Sequence, residues 1–313
     1  MPATALLPTS AMAQIAAGSV IKLVAPFPPG GSVDAISRLI QPGLQERLGA
    51  TVIVENRAGG SGSIGANAVA KAAPDGLTWL VVFDTHAVNP SLIPNLPFDS
   101  IKDLDPIELI GTGPMVLACH PTRSFRTLSD VVAAAKATPG KLTYASIGNG
   151  SLGHLAMSLL AKRAGVQLTH VPYRGGGPAV NDAVGGHVDM IVGSAALLAG
   201  QLEAATLRPL VQTAARRIAT LPNTPTVAES GFADFVADAW WGVFAPAGTP
   251  KPIVEQFRAA LVATVRDATV AKRLAEQQQV TVSLQGSEAF RTFFAEQMSI
   301  WGAVVRENGI KAD

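Results

Sequence analysis

The sequence predicts an α/β protein built on mainly parallel sheets, because strand-like and helix-like segments alternate along its first two hundred residues. Two β-rich runs, Thr51–Val54 and Thr78–Phe83, flank a helix-patterned segment at Ser63–Lys71. Alternation of this kind is typical of βαβ units, in which helices connect parallel strands. The length of 313 residues agrees with roughly two domains of this class.

Composition and charge exclude several functional classes. Apolar residues make up 48% of the chain and charged residues 15%, a composition that can build substantial cores and is unlike that of a disordered protein. The net charge of +1 gives no support for nucleic-acid or membrane-surface binding. No run of about 18 apolar residues predicts a membrane span. Cys119 is the single cysteine, which excludes an intramolecular disulfide and a multi-cysteine metal site.

Residues 1–18 are predicted to be the remnant of a signal peptide or a flexible tail. The tripeptide Ala11–Ala13 resembles the A-x-A cleavage end of a secretory signal, and it follows the short apolar stretch Ala5–Leu7. The first cation of the chain is Lys22, so a basic leader segment is missing and the tail alternative stays open. We expect residues before about Ser19 to lie outside the fold and the protein to be exported.

A proline-rich stretch, Asn89–Pro106, separates the first alternating block from a second and is the best candidate for a domain crossing. The second block begins with strand-like residues Ile107–Cys119, interrupted at Gly111–Gly113. Its further segments are predicted helices at Leu128–Ala137, Leu152–Ala164 and Pro178–Val184 and predicted strands at Leu142–Ala145, Leu168–Val171, Val188–Val192 and Leu207–Thr213.

The C-terminal part predicts one strand followed by helices, which we expect to cover the sheet of the first block. The strand is Ala239–Ala245, and the helices are Pro250–Arg266, Thr269–Gln277 and Ser287–Asn308. The resulting layout is a hinged clamshell, with residues 19–104 plus 230–313 in lobe 1 and residues 105–229 in lobe 2. In such folds ligands bind in the crevice, at the carboxyl ends of the strands.

The stretch Ile21–Asp34 is the first of three glycine-rich loops. A β-rich run ends in prolines, Gly30 and Gly31, and Ser32 then precedes a helix-patterned segment. The pattern predicts a strand, a tight turn and a helix that begins with Ser32 as its N-cap. The first N–H groups of such a helix can hold an anion without a Lys or Arg. An ordinary βα turn is the alternative.

The second and third loops, Glu55–Gly65 and Ala145–His154, both match G-x-G-x-x-G. A dinucleotide site also needs an acidic residue about twenty residues further on. After the third loop the next strand ends without a carboxylate, and after the second it ends at the single residue Asp84, so we reject nucleotide binding. The loops remain candidate backbone-amide cradles for a carboxylate, with hydroxyl groups from Ser32, Ser146 and Ser151.

Several other polar residues are candidates for the crevice. Asp84, Thr85 and His86 follow a strand of the first block, and a polar strand end is the alternative interpretation. His154 lies in the first turn of its helix, where a neutral imidazole can hydrogen-bond a ligand, and a structural helix-start histidine is the alternative. Trp240 or Trp241 could form a wall of the pocket, with the other in the core.

Nucleophilic and metal chemistry have weaker support. Asn149–Gly153 misses the G-x-S-x-G pattern of a nucleophile elbow at its first position. An enzyme that uses Ser151 or Ser146 with His154 is therefore only an alternative, since no third residue obviously orients the histidine. The histidines are scattered and none lies in an H-x-x-x-H pair, so we expect neither a zinc site nor a catalytic residue.

Eight motifs in sequence order resemble one family, the extracytoplasmic solute receptors of tripartite tricarboxylate transporters, also called the Bug family. They begin at Pro26–Gly31 and end near the C-terminus; the others are Glu55–Gly59, Pro74–Gly76, Ala87–Leu92, His170–Ala179, Gly185–Asp189, Leu221–Gly231 and Ala245–Pro250. The resemblance implies a type II periplasmic-binding fold, a signal peptide and no cofactor. It also implies a carboxylate ligand between the lobes and membrane permease subunits as partners of a periplasmic, monomeric receptor.

The resemblance further implies a site. The loops Phe27–Ser32 and Ser146–His154 would hold one ligand carboxylate through main-chain amides and bridging waters, while Asp84–His86 and the loop after Asp189 would select the rest of the molecule. The complete candidate set is Phe27, Gly30, Gly31, Ser32, Asp84, Thr85, His86, Ser146, Gly148, Asn149, Gly150, Ser151, His154, Tyr173, Ser194 and Trp241.

One departure from the family pattern bears on the ligand. Where the family often has an Asp-Asn or Asp-Ser pair, this chain has Gly193 and Ser194. The lost acidic group disfavours a ligand with an amino group at that end, so we predict a purely acidic or aromatic carboxylate. A sensor that reports the ligand to a membrane signalling partner is the alternative to a transport receptor.

Overall fold

The computed structural model describes residues 14–311 as two sheets flanked by helices. In chain order the elements are β1 (Val20–Ala25), α1 (Ser32–Leu48), β2 (Thr51–Asn56), a 3-10 turn (Gly60–Gly62), α2 (Ser63–Ala70), β3 (Thr78–Phe83), α3 (Thr85–Leu92), β4 (Leu104–Cys119), α4 (Leu128–Ala137), β5 (Thr143–Ser146), α5 (Leu152–Ala164), β6 (Thr169–Pro172), α6 (Gly176–Val184), β7 (Met190–Ser194), α7 (Ala195–Glu203), β8 (Arg208–Gln212), β9 (Asp238–Pro246), α8 (Lys251–Arg266), α9 (Ala268–Glu276), β10 (Thr281–Val282) and α10 (Ser287–Glu307).

The two sheets share the long strand β4. The first sheet has the order β2-β1-β3-β9-β4, with β1, β2 and β3 parallel, and β10 also pairs with β4. The second has β6, β5 and β7 parallel, and β7 and β8 pair antiparallel with β4. Leu104–Pro114 of β4 pair with β9, while Met115–Cys119 pair with β7. The predicted α/β class is confirmed, but both sheets are mixed and not mainly parallel, because β9 pairs antiparallel with β3 and with β4, and β4 pairs antiparallel with β7 and β8.

The predicted interruption of the strand at Gly111–Gly113 is wrong, because β4 runs through both glycines. A Cβ on Gly111 would lie 2.4 Å from the backbone oxygen of Thr281, and one on Gly113 would lie 2.7 Å from that of Gln279. The glycines are therefore explained by the close approach of the β10 segment and not by a turn. The proposed crossing stretch Asn89–Pro106 is divided between α3, a loop and the start of β4.

The assignment of residues 19–104 plus 230–313 and of residues 105–229 to two lobes stays a prediction. Residues 1–13, most of the predicted signal remnant or tail, lie outside the described residues. From Ile15 onward the expectation that residues before about Ser19 lie outside the fold is wrong. Ile15 is 5% exposed, and its backbone N–H donates to Gln256 Oε1 at 2.8 Å. Its burial beside Gly76 and α8 joins this segment to the first sheet's helical layer.

The C-terminal helices cover the first sheet, as predicted. Phe257 of α8 stacks on Trp79 of β3 with ring centroids 3.6 Å apart. On the other face Phe290 of α10 packs against Trp240 and Phe244 of β9. Burying such a side chain stabilises the fold by roughly 1.5–3 kcal/mol. Within residues 14–311 no helix combines the length and the apolar character that crossing a membrane requires.

Two helices that border the candidate site, α3 and α7, were not predicted as helices. The α3 segment contains Pro90, and its predicted role was that of a loop. Buried residues occur nearly all around α3, so its sequence lacks the alternation of apolar and polar faces that marks a surface helix. In α7 the short run of alanines and leucines likewise has no clear polar face.

Candidate functional site

The first loop connects β1 to α1, and its geometry corrects the predicted N-cap. Gly31 is the N-cap, in an extended conformation, and no side chain caps the helix. Ser32 is instead the first helical residue, and its Oγ accepts a hydrogen bond of 3.1 Å from Trp241 Nε1. The hydroxyl group thus joins the loop to β9, and Trp241 is completely buried behind it.

A buried carboxylate, Asp34, holds this loop in place and was missed in the sequence. Asp34 Oδ2 accepts the Gly30 N–H at 3.0 Å, and Oδ1 accepts Asn56 Nδ2 at 3.0 Å and Arg38 Nε at 3.0 Å. Burial by itself would raise the pKa of Asp34, but the hydrogen bonds from Arg38, Gly30 and Asn56 outweigh it and lower the pKa. The Gly30 amide, a predicted ligand donor, is therefore engaged by the protein itself.

Phe27 packs the first loop against the second. Its ring meets that of Phe83 edge to face, with centroids 4.6 Å apart. A Cβ on Gly62 would lie 2.8 Å from the Phe27 ring, and the Phe27 carbonyl accepts Asn56 Nδ2 at 3.0 Å. Two of the three glycine-rich loops are thus in contact at the carboxyl ends of β1 and β2.

The start of α3 carries polar groups that are buried without partners. Asp84, Thr85 and Asn89 are 1%, 4% and 1% exposed. Both carboxylate oxygens of Asp84, Oγ1 of Thr85 and Oδ1 of Asn89 have no hydrogen-bond partner among the described residues. Asn89 Nδ2 donates to the Ser61 carbonyl at 3.0 Å, which places this turn against the 3-10 turn of the second loop. Buried polar groups are nearly always hydrogen-bonded, so this cluster requires an explanation.

His86, in contrast, is placed in the core. Its ring stacks on Phe294 at 5.3 Å and meets Phe244 edge to face at 5.1 Å. Burial lowers the pKa of His86 to about 3. The predicted segment Asp84–His86 is thus divided: its first two residues lie at the strand end, and His86 packs between α10 and β9.

The third loop, between β5 and α5, is held by two histidines. Ser146 Oγ lies 2.6 Å from His170 Nε2 and accepts the Gly148 N–H at 3.2 Å. The Gly150 N–H donates to His154 Nδ1 at 3.1 Å, and the rings of His154 and His170 stack at 3.8 Å. His154 Nδ1 is thus a hydrogen-bond acceptor within the loop, and the neutral imidazole stays a prediction.

His170 was missed as a site residue, because in the sequence it is only a position in a predicted strand, between Thr169 and Val171. Burial, with a smaller contribution from His154, lowers the pKa of His170 to about 3. Among the described residues no carboxylate hydrogen-bonds to its ring. Ser151 Oγ acts as the N-cap of α5 and accepts the backbone N–H of His154 at 3.4 Å. Within residues 14–311 these hydroxyl and imidazole groups are therefore not joined to a carboxylate as a nucleophile–base–acid chain would be.

The third loop also contacts the end of α3. Gly150 has φ +69°, and a Cβ there would lie 2.1 Å from Leu92 Cδ2. The loop thus packs on the helix that begins with Asp84 and Thr85. Nearby on the surface Lys162 of α5 lies 3.5 Å from Glu307 of α10. The loops that follow β2 and β5 therefore both contact α3.

The remaining candidates lie along the second sheet. Tyr173 donates from its hydroxyl to Asp182 Oδ2 at 2.6 Å, and burial together with Asp182 raises the pKa of Tyr173 to about 12. A Cβ on Gly148 would lie 3.4 Å from the Tyr173 carbonyl oxygen. Ser194 caps α7 by accepting the Leu197 N–H at 3.2 Å. Asn149 lies within the third loop. In the part of the chain that the structure describes, no three His, Cys, Asp or Glu residues could hold a metal ion together.

Comparison with known proteins identifies similar receptors. The profile of the TctC family, the tripartite tricarboxylate transporter family receptor, matches residues 36–310. The periplasmic binding protein BugD is 30% identical, with a TM-score of 0.86 over 94% of this chain and 99% of that chain. An R. palustris protein with adipate is 29% identical, with a TM-score of 0.88 over 94% of this chain and 99% of that chain. MatC from Rhodopseudomonas palustris with bound malate is 30% identical, with a TM-score of 0.84 over 92% of this chain and 99% of that chain. The predicted two-lobed periplasmic-binding-protein fold is confirmed.

Proposed function

This chain belongs to the TctC family of tripartite tricarboxylate transporter receptors, and we propose that it captures a small carboxylate between its two lobes. The observation that carries the proposal is a set of contacts around α3: the β5–α5 loop packs on Leu92 at its end, and Asn89 bonds to the second loop, which packs on Phe27 of the β1–α1 loop. Each loop opens into the N-terminus of a helix, whose first N–H groups lack intrahelical acceptors. Helix N-termini bind carboxylates through these groups and the helix dipole.

We assign one ligand carboxylate to the loops Phe27–Ser32 and Ser146–His154. The Ser146–His170 and Gly150–His154 hydrogen bonds support this assignment because they fix the backbone of the third loop before any ligand arrives. Asp34 and Trp241 do the same for the first loop. Preorganised donors lose little entropy when a ligand binds.

We assign the rest of the ligand to Asp84, Thr85, Tyr173, Ser194 and Trp241, and His86 acts through its packing. The ligand class is a purely acidic or aromatic carboxylate, since Gly193 and Ser194 offer no carboxylate to an ammonium group. The adipate and malate bound to the two similar proteins support a dicarboxylate. In our proposal the protein is an exported periplasmic monomer without a cofactor or catalytic residue, and it delivers the ligand to membrane permease subunits.

A thermal-shift screen of the ligand-stripped protein tests the proposal. The panel contains mono-, di- and tricarboxylates, amino acids and aromatic acids. A ligand at a hundred times its Kd adds roughly 2.7 kcal/mol to the free energy of unfolding. In a protein of this size the shift in Tm is on the order of 5–10 °C. Recovery of the ligand unchanged supports a receptor, whereas turnover of an ester or amide would support the enzyme alternative.

An amino acid that binds at least tenfold tighter than its deaminated analogue would contradict the ligand class while leaving the receptor function intact. A panel in which no carboxylate shifts the Tm at any pH would contradict the receptor function itself. A matched variant, Gly165→Ala, keeps both loops unchanged and serves as the control for nonspecific shifts, since Gly165 ends α5 on the side away from the third loop.

A further inference from the structure

The turn Asp84–Asn89 has more buried hydrogen-bonding capacity than the protein uses. Asp84 follows the last residue of β3 and is the N-cap of α3, and both of its carboxylate oxygens are buried without a partner. Thr85 Oγ1 and Asn89 Oδ1 share this property one turn along the same helix. A fold does not retain several unpaired polar groups in one turn without cost, so a partner outside the chain is the simplest explanation.

The location of this turn supports a ligand as the hydrogen-bond partner of these buried groups. It follows the carboxyl end of β3, where α/β sheets bind ligands. Asn89 is bonded to Ser61 of the second glycine-rich loop, and Leu92 at the other end of α3 contacts Gly150 of the third. The unpaired groups therefore lie on a helix that contacts the third loop directly and the first loop through the second, whose Gly62 packs on Phe27.

The protonation state of Asp84 decides what it can recognise. Burial raises its pKa to about 8, and the nearby backbone amides of Asp84 and Thr85, which form no hydrogen bond of normal geometry with the carboxylate, lower the pKa only in part. No neighbouring charge contributes to this shift. Within the described residues no Lys or Arg forms an ion pair with Asp84, so the neutral acid dominates at pH 7 and carries a proton that it can donate.

The charged groups on the surrounding elements leave this conclusion unchanged. β3 and the 3-10 turn contain no titratable side chain. His86 on α3 is held neutral by burial, as its lowered pKa indicates, and Asp238 on β9 has its own pKa raised to about 6 by burial alone. The titratable residues of α10 are Glu288, Arg291, Glu296, Arg306 and Glu307. Arg291 pairs with Asp105, and Glu307 with Lys162.

We propose that Asp84 is a proton-donating specificity residue, whose neutral carboxylic acid hydrogen-bonds a second carboxylate of the ligand, with the Thr85 hydroxyl as a further donor. The inference rests on the proposed carboxylate-binding function and adds the chemistry of the ligand's second end. A neutral acid donates a hydrogen bond to an anionic oxygen without charge repulsion, whereas an ammonium group would require Asp84 to ionise. The subsite therefore selects a dicarboxylate and disfavours an amino group at that position.

The test measures the Kd of malate and of adipate by calorimetry between pH 6 and pH 9.5. We expect a constant Kd up to about pH 7 and a loss of affinity above pH 8 that approaches tenfold per pH unit, as for one required proton. Asp84→Asn retains a donor of similar size and should abolish this dependence. Asp238→Asn removes another buried carboxyl group with a raised pKa and should keep the wild-type profile above pH 7.

Three results would overturn the inference. The first is equal pH profiles for the wild type and Asp84→Asn above pH 7. The second is an infrared difference spectrum, wild type minus Asp84→Asn, that shows no protonated carboxyl group at pH 7; this readout needs no ligand. The third is tighter binding of aspartate than of malate that is lost in Asp84→Asn. Failure of every carboxylate to bind at any pH would instead remove the receptor function on which the inference rests.

Discussion

Trp241 Nε1 donates to Ser32 Oγ at 3.1 Å, across 209 residues of sequence. The bond joins β9, which lies in the middle of the first sheet, to the first residue of α1. The position of the β1–α1 loop is therefore determined by a strand from the C-terminal part of the chain. Any ligand that binds at the N-terminus of α1 depends on this bond for its geometry.

Ser32→Ala should lower the free energy of unfolding by about 1–3 kcal/mol, because it leaves the fully buried indole N–H of Trp241 without an acceptor. Chemical denaturation measures the effect. In a double-mutant cycle with Trp241→Phe, the double variant should lose less than the sum of the two single variants. Strict additivity would show that the hydrogen bond contributes nothing to stability.

Asp84→Asn should stabilise the ligand-free protein at neutral pH. The native pKa of about 8 exceeds the ordinary value of 3.8, so between these values the native state binds a proton that the unfolded state has released. The stability of the wild type therefore falls as the pH rises through this window, by up to about 1.4 kcal/mol per unit, and levels off above pH 8. Denaturation curves at pH 5, 6, 7 and 8 should show a shallower decline in the variant. A parallel decline would contradict the raised pKa.

His86→Phe should improve stability in acid. The native pKa of about 3 lies below the ordinary value of 6.5, so the unfolded state binds a proton first and wild-type stability falls as the pH drops below about 6.5. Phenylalanine suits the surrounding rings of Phe244 and Phe294 and cannot take up a proton. The variant's Tm at pH 5 should exceed that of the wild type by more than at pH 8. His187→Gln, at an exposed position, should leave the acid profile unchanged.

Gly150→Ala should weaken carboxylate binding and lower the Tm, since its Cβ would overlap Leu92 and its φ is positive. Gly165→Ala is the matched control, because Gly165 has φ +62° and nothing within 4 Å of the added Cβ. Both variants carry the strain of a left-handed residue, of order 1 kcal/mol. Only Gly150→Ala should reduce malate affinity, and Leu92→Ala should restore part of it in the double variant. An equal loss of malate affinity in the two glycine variants would show that the contact between Gly150 and Leu92 does not affect binding.

Local patterns predicted most of the elements. The bounds of α4 at Leu128–Ala137 and of α5 at Leu152–Ala164 agree with the predicted bounds. In α4 the reason is visible in the structure, where Thr127 and Asp130 form a capping box within a few residues. Such features depend on neighbours in sequence, so the sequence contains them directly.

The sequence by itself determined the α/β class, the alternation of strands and helices and the glycine-rich turns, because hydrophobic period, caps and backbone freedom are properties of short segments. Only the tertiary structure decided what distant segments do to one another. Ser32 accepts a hydrogen bond from Trp241 and does not cap its helix. The backbone of Thr281 lies so close to Gly111 that a side chain there would clash. His86 packs among aromatic rings in the core and does not lie at the strand end. Burial likewise raises the pKa of Asp84, and burial is a property of the packed chain.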